Sequence, residues 1–283
     1  MQKIFIHTNN KQGIGAVLSK FSIERSLSNK SIEVGFINVD NLNQFKNFAG
    51  KKYLRAGKES VYNPKDLQSF TLSRFMPPEL MNYEGRALVI DPDIFALSDI
   101  SELFSVDMRE KAIACCSKKD AWDTSMMVLD CARLKHWKIE DILNKLEKKE
   151  LDYSDIMTLK IESRDTLMEM SRIWNNLDTL TPETKMIHMT NRLTQPWRTG
   201  LPIDFTRNPM PKILGIIPRE PIHKILGKYP THYKQHPIKE VEKWFFKLVD
   251  DAIKSGELTK EEIEEEIQKG EVRKDLLNQT RPL

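Results

Sequence analysis

Cysteine is scarce in this chain of 283 residues, and the three that occur are Cys115, Cys116 and Cys131. An odd, sparse set without CxxC spacing favours buried, reduced thiols over a disulfide framework or a zinc site. No apolar run approaches the roughly 20 residues of a membrane span, and the amino-terminal residues lack the pattern of a signal peptide. These absences predict a cytoplasmic protein without a transmembrane segment.

An excess of charge of one sign is also missing. The 44 Lys and Arg residues are nearly balanced by 41 Asp and Glu residues, and the two signs are interspersed, for a net charge of +3. Proteins that bind nucleic acid usually carry a basic patch or stripe. The composition therefore argues against a nucleic-acid partner, and it leaves an anionic small-molecule substrate open.

The first forty residues alternate between strand and helix patterns. Residues 3–8 and 32–39 are strand-like, and residues 13–28 place apolar side chains at helical spacing. A strand-helix-strand unit implies parallel strands joined by a right-handed crossover. Thr8 and Asn9 follow the first strand, where short polar side chains can either contact a nucleotide or cap the following helix.

An acidic triplet follows the apolar run ALVI at residues 87–90. Such a run, bounded by turn residues, is typical of a buried parallel strand, and ligands of open α/β sheets bind just beyond the carboxyl ends of such strands. In extended backbone Asp91 and Asp93 project to the same face, and their oxygens suit Mg²⁺ or Mn²⁺. Asp-Pro-Asp is also common in turns, so the pattern alone predicts either a metal site or a turn.

Three further polar side chains lie near the ends of predicted elements. Arg74 belongs to a helix predicted over residues 66–81 and closed by a proline pair, where it is either a solvated charge or a clamp for an acidic group. Asp123 precedes a predicted strand, as a sugar contact or a strand-initiating turn. His188 ends a short apolar strand, as a metal ligand or a core histidine. Residues 139–156 are predicted to form one charged structural helix.

The character of the chain changes after about residue 200, where prolines become frequent. This change divides the chain into an α/β domain, residues 1–207, and a proline-rich segment with helices, residues 208–283. Apolar positions between 241 and 253 form the stripe of a helix that ends at Gly256, and residues 259–262 have the capping-box pattern of a second helix. We expect the stripe to dock on the core.

Taken together, these motifs resemble those of glycosyltransferase family 8 and of a related bacterial group of glycosyltransferases. The resemblance covers residues 3 to 200 and depends on the order of its motifs as well as their content. The matching segments are the opening strand and turn IFIHTNN, the Arg-bearing SRF, the acidic strand ALVIDPDIFALSDISELF, the segment WDTSMMVLD, the Trp-Asn pair at 174–175 and the loop from His188 to Gly200.

The resemblance implies a GT-A-type fold, that is, a Rossmann-like α/β fold with a mixed, mostly parallel sheet flanked by helices, here with a helical carboxyl-terminal extension. It also implies a metal-dependent transferase that retains anomeric configuration and uses a nucleotide sugar. Carried over by position, it assigns metal ligation to Asp91, Asp93 and His188, and nucleotide contacts to Thr8 and Asn9. It implies a donor contact for Arg74 and sugar contacts for Asp123 or Ser125, and these three are the expected catalytic residues. Further donor contacts are expected from Gln195, Trp197 and Arg198.

The sequence departs from the family pattern at two points. Where the family places a lysine before Pro-Trp to grip the diphosphate, this chain has Gln195, which brings no charge. Arg192 or Arg198 is a candidate substitute. The family's Asn-Ser-Gly-like triplet is Asp-Thr-Ser at residues 123–125, which changes the expected sugar contacts.

The sequence therefore predicts a transferase that moves a sugar from a nucleotide sugar, specifically a UDP-sugar, with Mn²⁺ or Mg²⁺. The acceptor, whether glycan, lipid or small molecule, and a homo-oligomeric state are left open. Two alternatives remain at this point. One is a catalytically silent nucleotide-sugar-binding protein of the same fold. The other is a nucleotidyltransferase, although the glycine-rich basic loop expected after its first strand is missing from TNNKQGIG.

Overall fold

The computed structural model of the chain describes residues 1–118, 121–190, 193–205 and 230–280. Arg192 and most of the proline-rich segment lie outside these ranges. The described residues form eleven strands, β1 Gln2–Thr8, β2 Glu33–Asn38, β3 Lys52–Arg55, β4 Lys58–Val61, β5 Arg86–Ile90, β6 Ile94–Ala96, β7 Ile113–Lys118, β8 Ala121–Asp130, β9 Leu167–Glu169, β10 Asn176–Leu177 and β11 Met186–His188.

The same residues form eight α-helices and several short 3₁₀-helices. The α-helices are α1 Gly13–Ser26, α2 Asn43–Phe48, α3 Pro77–Leu80, α4 Ile139–Glu147, α5 Tyr153–Met157, α6 Lys239–Ser255, α7 Lys260–Lys269 and α8 Leu276–Gln279. Among the described residues, no helix combines the length and apolar character that crossing a membrane requires.

The central sheet has six strands in the order β2-β1-β5-β8-β7-β9. Strand β1 pairs in parallel with β2 and β5, and β7 pairs in parallel with β9, whereas β8 is antiparallel to both of its neighbours. Three of the five pairings are thus parallel, which confirms the mixed, mostly parallel sheet. Because β1 and β5 are parallel neighbours, their carboxyl ends meet at one edge of the sheet, and the site is built there.

Apolar side chains cover both faces of this sheet. On one face, Phe5 and Val89 pack with Phe75 and Trp137. On the other face, α1 contributes Ala16 and Ile23 to a cluster with strand residues such as Ile4. Central strands that are buried on both sides need an almost continuous apolar sequence, which explains the run ALVI at residues 87–90. The three cysteines are free and buried, as the sequence predicts.

Two helix predictions are wrong in their extent. Residues 66–81 do not form one helix: a 3₁₀-helix, Ser69–Phe75, is followed by the short helix α3. Pro77 begins α3 rather than closing a helix, because the first turn of a helix does not use the N–H groups that proline lacks. Residues 139–156 form two helices, since Lys149 takes a φ of 61° and ends the first, and Asp152 caps the second.

The carboxyl-terminal helices follow the sequence prediction closely. Helix α6 ends at Gly256, which has a φ of 81°, and the capping box of Thr259 and Glu262 starts α7. The apolar stripe of α6 docks on the core, where the ring of Phe245 stacks on Trp197 with centroids 4.9 Å apart. Phe95 of β6 lies against the same Phe245 ring at 5.7 Å. The extension therefore supports the strand that follows the acidic triplet.

Candidate active site

Asp91, which directly follows β5, is the most heavily bonded carboxylate of the site. Arg74 grips it with two nitrogens: Nη2 lies 2.6 Å from Oδ2 and Nε lies 3.0 Å from Oδ1. His7, the penultimate residue of strand β1, places Nε2 2.6 Å from Oδ1. The parallel pairing of β1 with β5 brings His7 beside Asp91, and the 3₁₀-helix 69–75 delivers Arg74.

These contacts determine the protonation of the pair. Burial by itself favours the neutral carboxyl, but the positive charge of Arg74 and the bond to His7 outweigh it and hold the pKa of Asp91 far below its usual value. Complete burial of the imidazole lowers the pKa of His7, and the attraction of Asp91 only partly offsets this effect. Asp91 is therefore a charged carboxylate that faces the neutral imidazole of His7 and the guanidinium of Arg74.

Asp93 and His188 meet because β6 and β11 are antiparallel, with Ile94 opposite His188. The His188 Nε2 atom lies 3.3 Å from Asp93 Oδ1. The other Asp93 oxygen accepts a bond of 2.9 Å from Gln195 Nε2. Burial opposes the charged imidazole, yet the surrounding carboxylates, Asp93 first, raise the pKa of His188.

The first turn of α1 packs unusually close to the acidic triplet at Gly15. A Cβ atom at this position would lie 3.0 Å from the Pro92 carbonyl oxygen and 3.3 Å from the Trp197 ring. Few real Cβ atoms have contacts this short, so the glycine is required by space and not by its backbone angles. Because Gly15 has no side chain, the turn between Asp91 and Asp93 can pack directly against helix α1.

A β-bulge between β7 and β8 orients the polar side chains of Asp123 and Thr124. The pairing of β7 with β8 shifts between Cys115, opposite Met127, and Cys116, opposite Asp123. Bulges of this kind redirect side chains next to sites. Asp123 is thus part of strand β8, and the strand-initiating turn that was one reading of the sequence is wrong. The adjacent Thr124 hydroxyl accepts a bond of 2.9 Å from Arg74 Nη1.

Asp91, Asp93 and His188 form a group that could hold one metal ion. Each offers a ligand atom, these atoms lie within 4.8 Å of one another, and all three residues are buried. A set of two carboxylates and one imidazole suits Mn²⁺ or Mg²⁺. Asp91 can join such a set without releasing Arg74, because two carboxylate oxygens offer about four lone-pair sites.

Two cavities open at this edge of the sheet. The first, about 290 Å³, is lined by polar side chains that include Arg74, Asp91, Asp93, Asp123, Ser125 and His188. The second, about 550 Å³, is more apolar and lies at the carboxyl ends of β1 and β2, where Phe36 and Val17 form part of its wall. These six side chains thus line one cavity, although they are up to 114 positions apart in sequence.

Thr8 and Asn9 line the second cavity, beside the metal-ligand group rather than within it. The Asn9 side chain is almost fully buried and caps a 3₁₀-helix by accepting a bond from Gln12 N at 3.2 Å. Its amide nitrogen donates to Ser69 Oγ at 2.8 Å. The capping role considered for this turn is confirmed for Asn9.

Trp197 and Arg198 line neither cavity. Trp197 lies in the core between Phe95 and Phe245. Arg198 is 1% exposed, and its guanidinium bonds to Asp204 Oδ2 at 2.8 Å and lies 3.4 Å from Glu271 Oε2. Both of its nearest charged partners are carboxylates, so Arg198 ties the loop after β11 to the carboxyl-terminal helices.

Sequence reasoning missed two residues of the site, His7 and Asn175. In the sequence His7 is one more residue of a predicted buried strand, and no local pattern predicts its contact with Asp91, 84 positions later. The Asn175 Oδ1 atom, an acceptor, lies 2.9 Å from His188 Nδ1, and the Asn175 amide nitrogen donates to Ser125 Oγ at 2.9 Å. The Trp-Asn pair is one motif of the family resemblance, but its neighbours in the chain supply no chemical reason for the asparagine.

The fold and site together define an α/β protein whose sheet edge carries a buried carboxylate-histidine group beside two cavities. The chain belongs to glycosyltransferase family 8, since the family model named glycosyl transferase family 8 matches residues 6–196. It is a glycosyltransferase with a GT-A-type fold. No curated protein matches the chain.

Several solved structures are similar to this chain. An active-site mutant of LgtC is 11% identical over 70% of this chain and 89% of its own, with a TM-score of 0.51. The apo glycosyltransferase GlyE of Streptococcus pneumoniae is 15% identical over 69% and 56%, with a TM-score of 0.48. Mouse xyloside xylosyltransferase 1 is 11% identical over 68% and 98%, with a TM-score of 0.46.

Proposed function

We propose that this glycosyltransferase transfers a sugar from a UDP-sugar to an acceptor with Mn²⁺ or Mg²⁺ held by Asp91, Asp93 and His188, and that the product retains the anomeric configuration of the donor. The observation that carries the proposal is the buried ligand group at the edge of a polar cavity, in a chain whose family transfers sugars.

The charge of the site supports metal dependence. The smaller cavity is lined by the carboxylates Asp91, Asp93 and Asp123, and the guanidinium groups of Arg74 and Arg172 form ion pairs with two of them. A histidine that binds a metal is neutral, and with both imidazoles neutral these carboxylates and guanidinium groups have one negative charge in excess. A nucleoside diphosphate would be repelled by that excess, and a divalent cation would reverse its sign.

The two cavities suggest how the donor lies. The sugar and diphosphate would occupy the smaller polar cavity, with Arg74 and Asp123 beside them, and the nucleoside would occupy the larger cavity that Thr8 and Asn9 line. The bound metal would act as a Lewis acid that neutralises charge on the leaving diphosphate. The chain itself supplies the rest: Arg74 keeps Asp91 ionised, and burial excludes water from the ligand group.

One observation favours a second candidate, a silent protein that binds the donor without transfer. Gln195 stands where the family has a lysine, and its amide is committed to Asp93. Arg198, a candidate substitute, is neutralised by Asp204 and Glu271. Neither Gln195 nor Arg198 therefore adds a positive charge beside the diphosphate.

Calorimetric titration of UDP with and without Mn²⁺ tests the proposal, with the wild type compared with Asp93→Asn and with the control Asp107→Asn. Asp107 accepts a bond only from the backbone of Arg109 at an exposed turn. We expect Mn²⁺-dependent binding in the wild type and control and at least a tenfold loss in Asp93→Asn. Equal UDP binding with and without metal would contradict the metal site.

A screen of UDP-sugars for slow hydrolysis then separates transferase from binding protein. Hydrolysis of one UDP-sugar would identify the donor and support transfer. Metal-dependent binding of UDP-sugars, with no hydrolysis and no transfer to any acceptor offered, would support the silent candidate instead.

A further inference from the structure

A continuous line of hydrogen bonds runs from Arg172 to the candidate metal ligand His188. Arg172 Nη1 lies 2.8 Å from Asp123 Oδ2, and Ser125 Oγ lies 2.6 Å from Asp123 Oδ1. Asn175 follows, with Nδ2 2.9 Å from Ser125 Oγ and Oδ1 2.9 Å from His188 Nδ1. These five side chains come from three elements that are distant in sequence, β8, the 3₁₀-helix Arg172–Asn175 and β11, so only the tertiary structure assembles the line.

The direction of each bond follows from the charge on Asp123. Burial disfavours this carboxylate, but bonds from Ser125 and Arg172 and the nearby His188 lower its pKa below the usual value, so it is ionised and can only accept. The single hydroxyl proton of Ser125 is therefore donated to Asp123. The Ser125 oxygen is left to accept, and Asn175 must turn its NH₂ group toward it.

This orientation leaves Asn175 Oδ1, an acceptor, facing His188 Nδ1. The Ser125 oxygen, also an acceptor, lies 3.4 Å from the same nitrogen. A histidine nitrogen between two acceptors carries a proton. In the neutral imidazole the other nitrogen, Nε2, then has a free lone pair, and it is this atom that lies 3.3 Å from Asp93.

We propose that Asp123, Ser125 and Asn175 form a directional hydrogen-bond relay that fixes the Nδ1–H tautomer of His188 and so presents Nε2 as a metal ligand. Asn175 is the positioning residue that acts directly on the imidazole. The relay rests on the proposed metal site. It also explains the serine of the Asp-Thr-Ser segment: because Ser125 donates its proton to Asp123, its oxygen must accept from Asn175, which leaves the Asn175 oxygen to accept from the histidine.

Burial makes the relay effective. Asn175 is 0% exposed, and Ser125 and His188 are 5% and 4% exposed. Water therefore has little access to replace a lost partner. If Asn175 became Leu, Ser125 Oγ would remain 3.4 Å from Nδ1, but the carboxylate of Asp93 beside Nε2 would be the stronger acceptor of the two. The proton would then move to Nε2, where it competes with the metal.

The first test reads the tautomer directly and needs no metal. Long-range proton–nitrogen spectra of ¹⁵N-labelled, metal-free protein, recorded above the titration of His188, should show the Nδ1–H form in the wild type and the Nε2–H form in Asn175→Leu. The control Asn176→Leu removes the neighbouring asparagine, which bonds to Thr184 instead, and should keep the Nδ1–H form. An Nε2–H wild type overturns the relay even if the protein binds metal.

The second test measures Mn²⁺ affinity by electron paramagnetic resonance without nucleotide. Loss of an outer partner of a ligating histidine typically weakens metal binding by about 10–100-fold, and we expect this loss in Asn175→Leu and a smaller loss in Ser125→Ala. In a His188→Ala background, Asn175→Leu should have no further effect. An equal loss in that background would mean a general structural role and would overturn the relay.

The two tests also separate this inference from the proposed function. A wild type that binds no Mn²⁺ but shows the Nδ1–H form would end the metal proposal and the ligand-presenting role with it, whereas the tautomer assignment would stand. Metal binding that Asn175→Leu leaves unchanged would end the relay alone.

Discussion

Arg74 and Asp91 form a buried, two-pronged ion pair in which Nη2 lies 2.6 Å from Oδ2 and Nε lies 3.0 Å from Oδ1. Each side chain is only 10% exposed. Such a pair contributes little net stability as a whole, but removal of one partner leaves a buried charge without compensation. The residue that would bind the metal is thus held in its charged form by the protein before any metal arrives.

Replacement of Arg74 by Met should therefore lower the free energy of unfolding by about 3–5 kcal/mol, as measured by urea denaturation in metal-free buffer. Arg74→Lys keeps the charge without the fork and should lose less. Because Mn²⁺ would supply the missing positive charge, its addition should stabilise Arg74→Met more than the wild type. A loss below about 1 kcal/mol, typical of exposed pairs, would show that the pair is not effectively buried.

Gln195→Leu should separate stability from metal affinity. Gln195 is fully buried, and its Oε1 atom has no hydrogen-bond partner among the described residues. An unsatisfied buried acceptor costs about 1–3 kcal/mol, and the bond to the Asp93 carboxylate that would be lost contributes about 1.5–3 kcal/mol. The two effects nearly cancel, so a near-isosteric apolar side chain should change the free energy of unfolding little. Asp93 would lose the donor that orients it, and Mn²⁺ affinity should fall about tenfold.

Chemical denaturation and Mn²⁺ titration of the same Gln195→Leu preparation check both outcomes. Thr199→Val is a suitable control in this loop, since the Thr199 hydroxyl bonds only weakly to backbone carbonyls at 3.3 Å and 3.4 Å. If Gln195→Leu were less stable but bound Mn²⁺ normally, the amide would serve packing and not the orientation of Asp93.

Asp204→Asn should reduce the acid sensitivity of the fold. Burial raises the pKa of Asp204, but Arg198 and Lys11 outweigh this effect, so the pKa is lowered in the folded protein. A carboxyl with a depressed folded pKa stabilises the protein above its unfolded pKa of about 3.9 and loses this contribution as the pH falls through the folded value.

We therefore expect Asp204→Asn to be less stable than the wild type by about 1.5–3 kcal/mol near pH 7, the range for hydrogen bonds to charged groups. The difference should shrink as the pH falls below about 4. Unfolding curves at a series of pH values measure it. A difference that stays constant down to pH 2 would mean that Asp204 is protonated equally in both states.

Phe245→Ala should show that the carboxyl-terminal helices belong to the core of the described fold. The Phe245 ring is fully buried against Trp197 and Phe95, and Phe→Ala in a core costs about 3–5 kcal/mol. Lys243→Ala, at an exposed position of the same helix, should cost less than about 0.5 kcal/mol. A small effect of Phe245→Ala on thermal unfolding would indicate that α6 is only loosely attached.

Truncation after Arg207 extends this prediction to the division of the chain at residues 207 and 208. The truncated chain would expose the apolar surface around Trp197 and Phe95, so we expect loss of soluble protein as well as of UDP binding. A soluble, active product would show that the extension has neither a structural nor a binding role.

Much of the site follows from local sequence. Four aliphatic residues before Asp91 make a buried strand, and the period of two in extended backbone places Asp91 and Asp93 on one face, because both effects act within a few residues. His188 at a strand end, the stripe of α6 and the capping box of α7 are of the same kind. In each of these features the interacting residues are close in sequence, so their spacing can be read directly from it.

Other features depend on distant residues, and only the tertiary structure decides them. His7 and Asp91 meet because two strands pair in parallel, and Arg198 meets Glu271 because the chain after α7 returns to the loop that follows β11. Asn175 and Ser125 meet near His188 because a bulge in β8 and the parallel pairing of β10 with β11 bring them there. Burial then fixes charge and hydrogen-bond direction, since a side chain without water must use the partners that the fold provides.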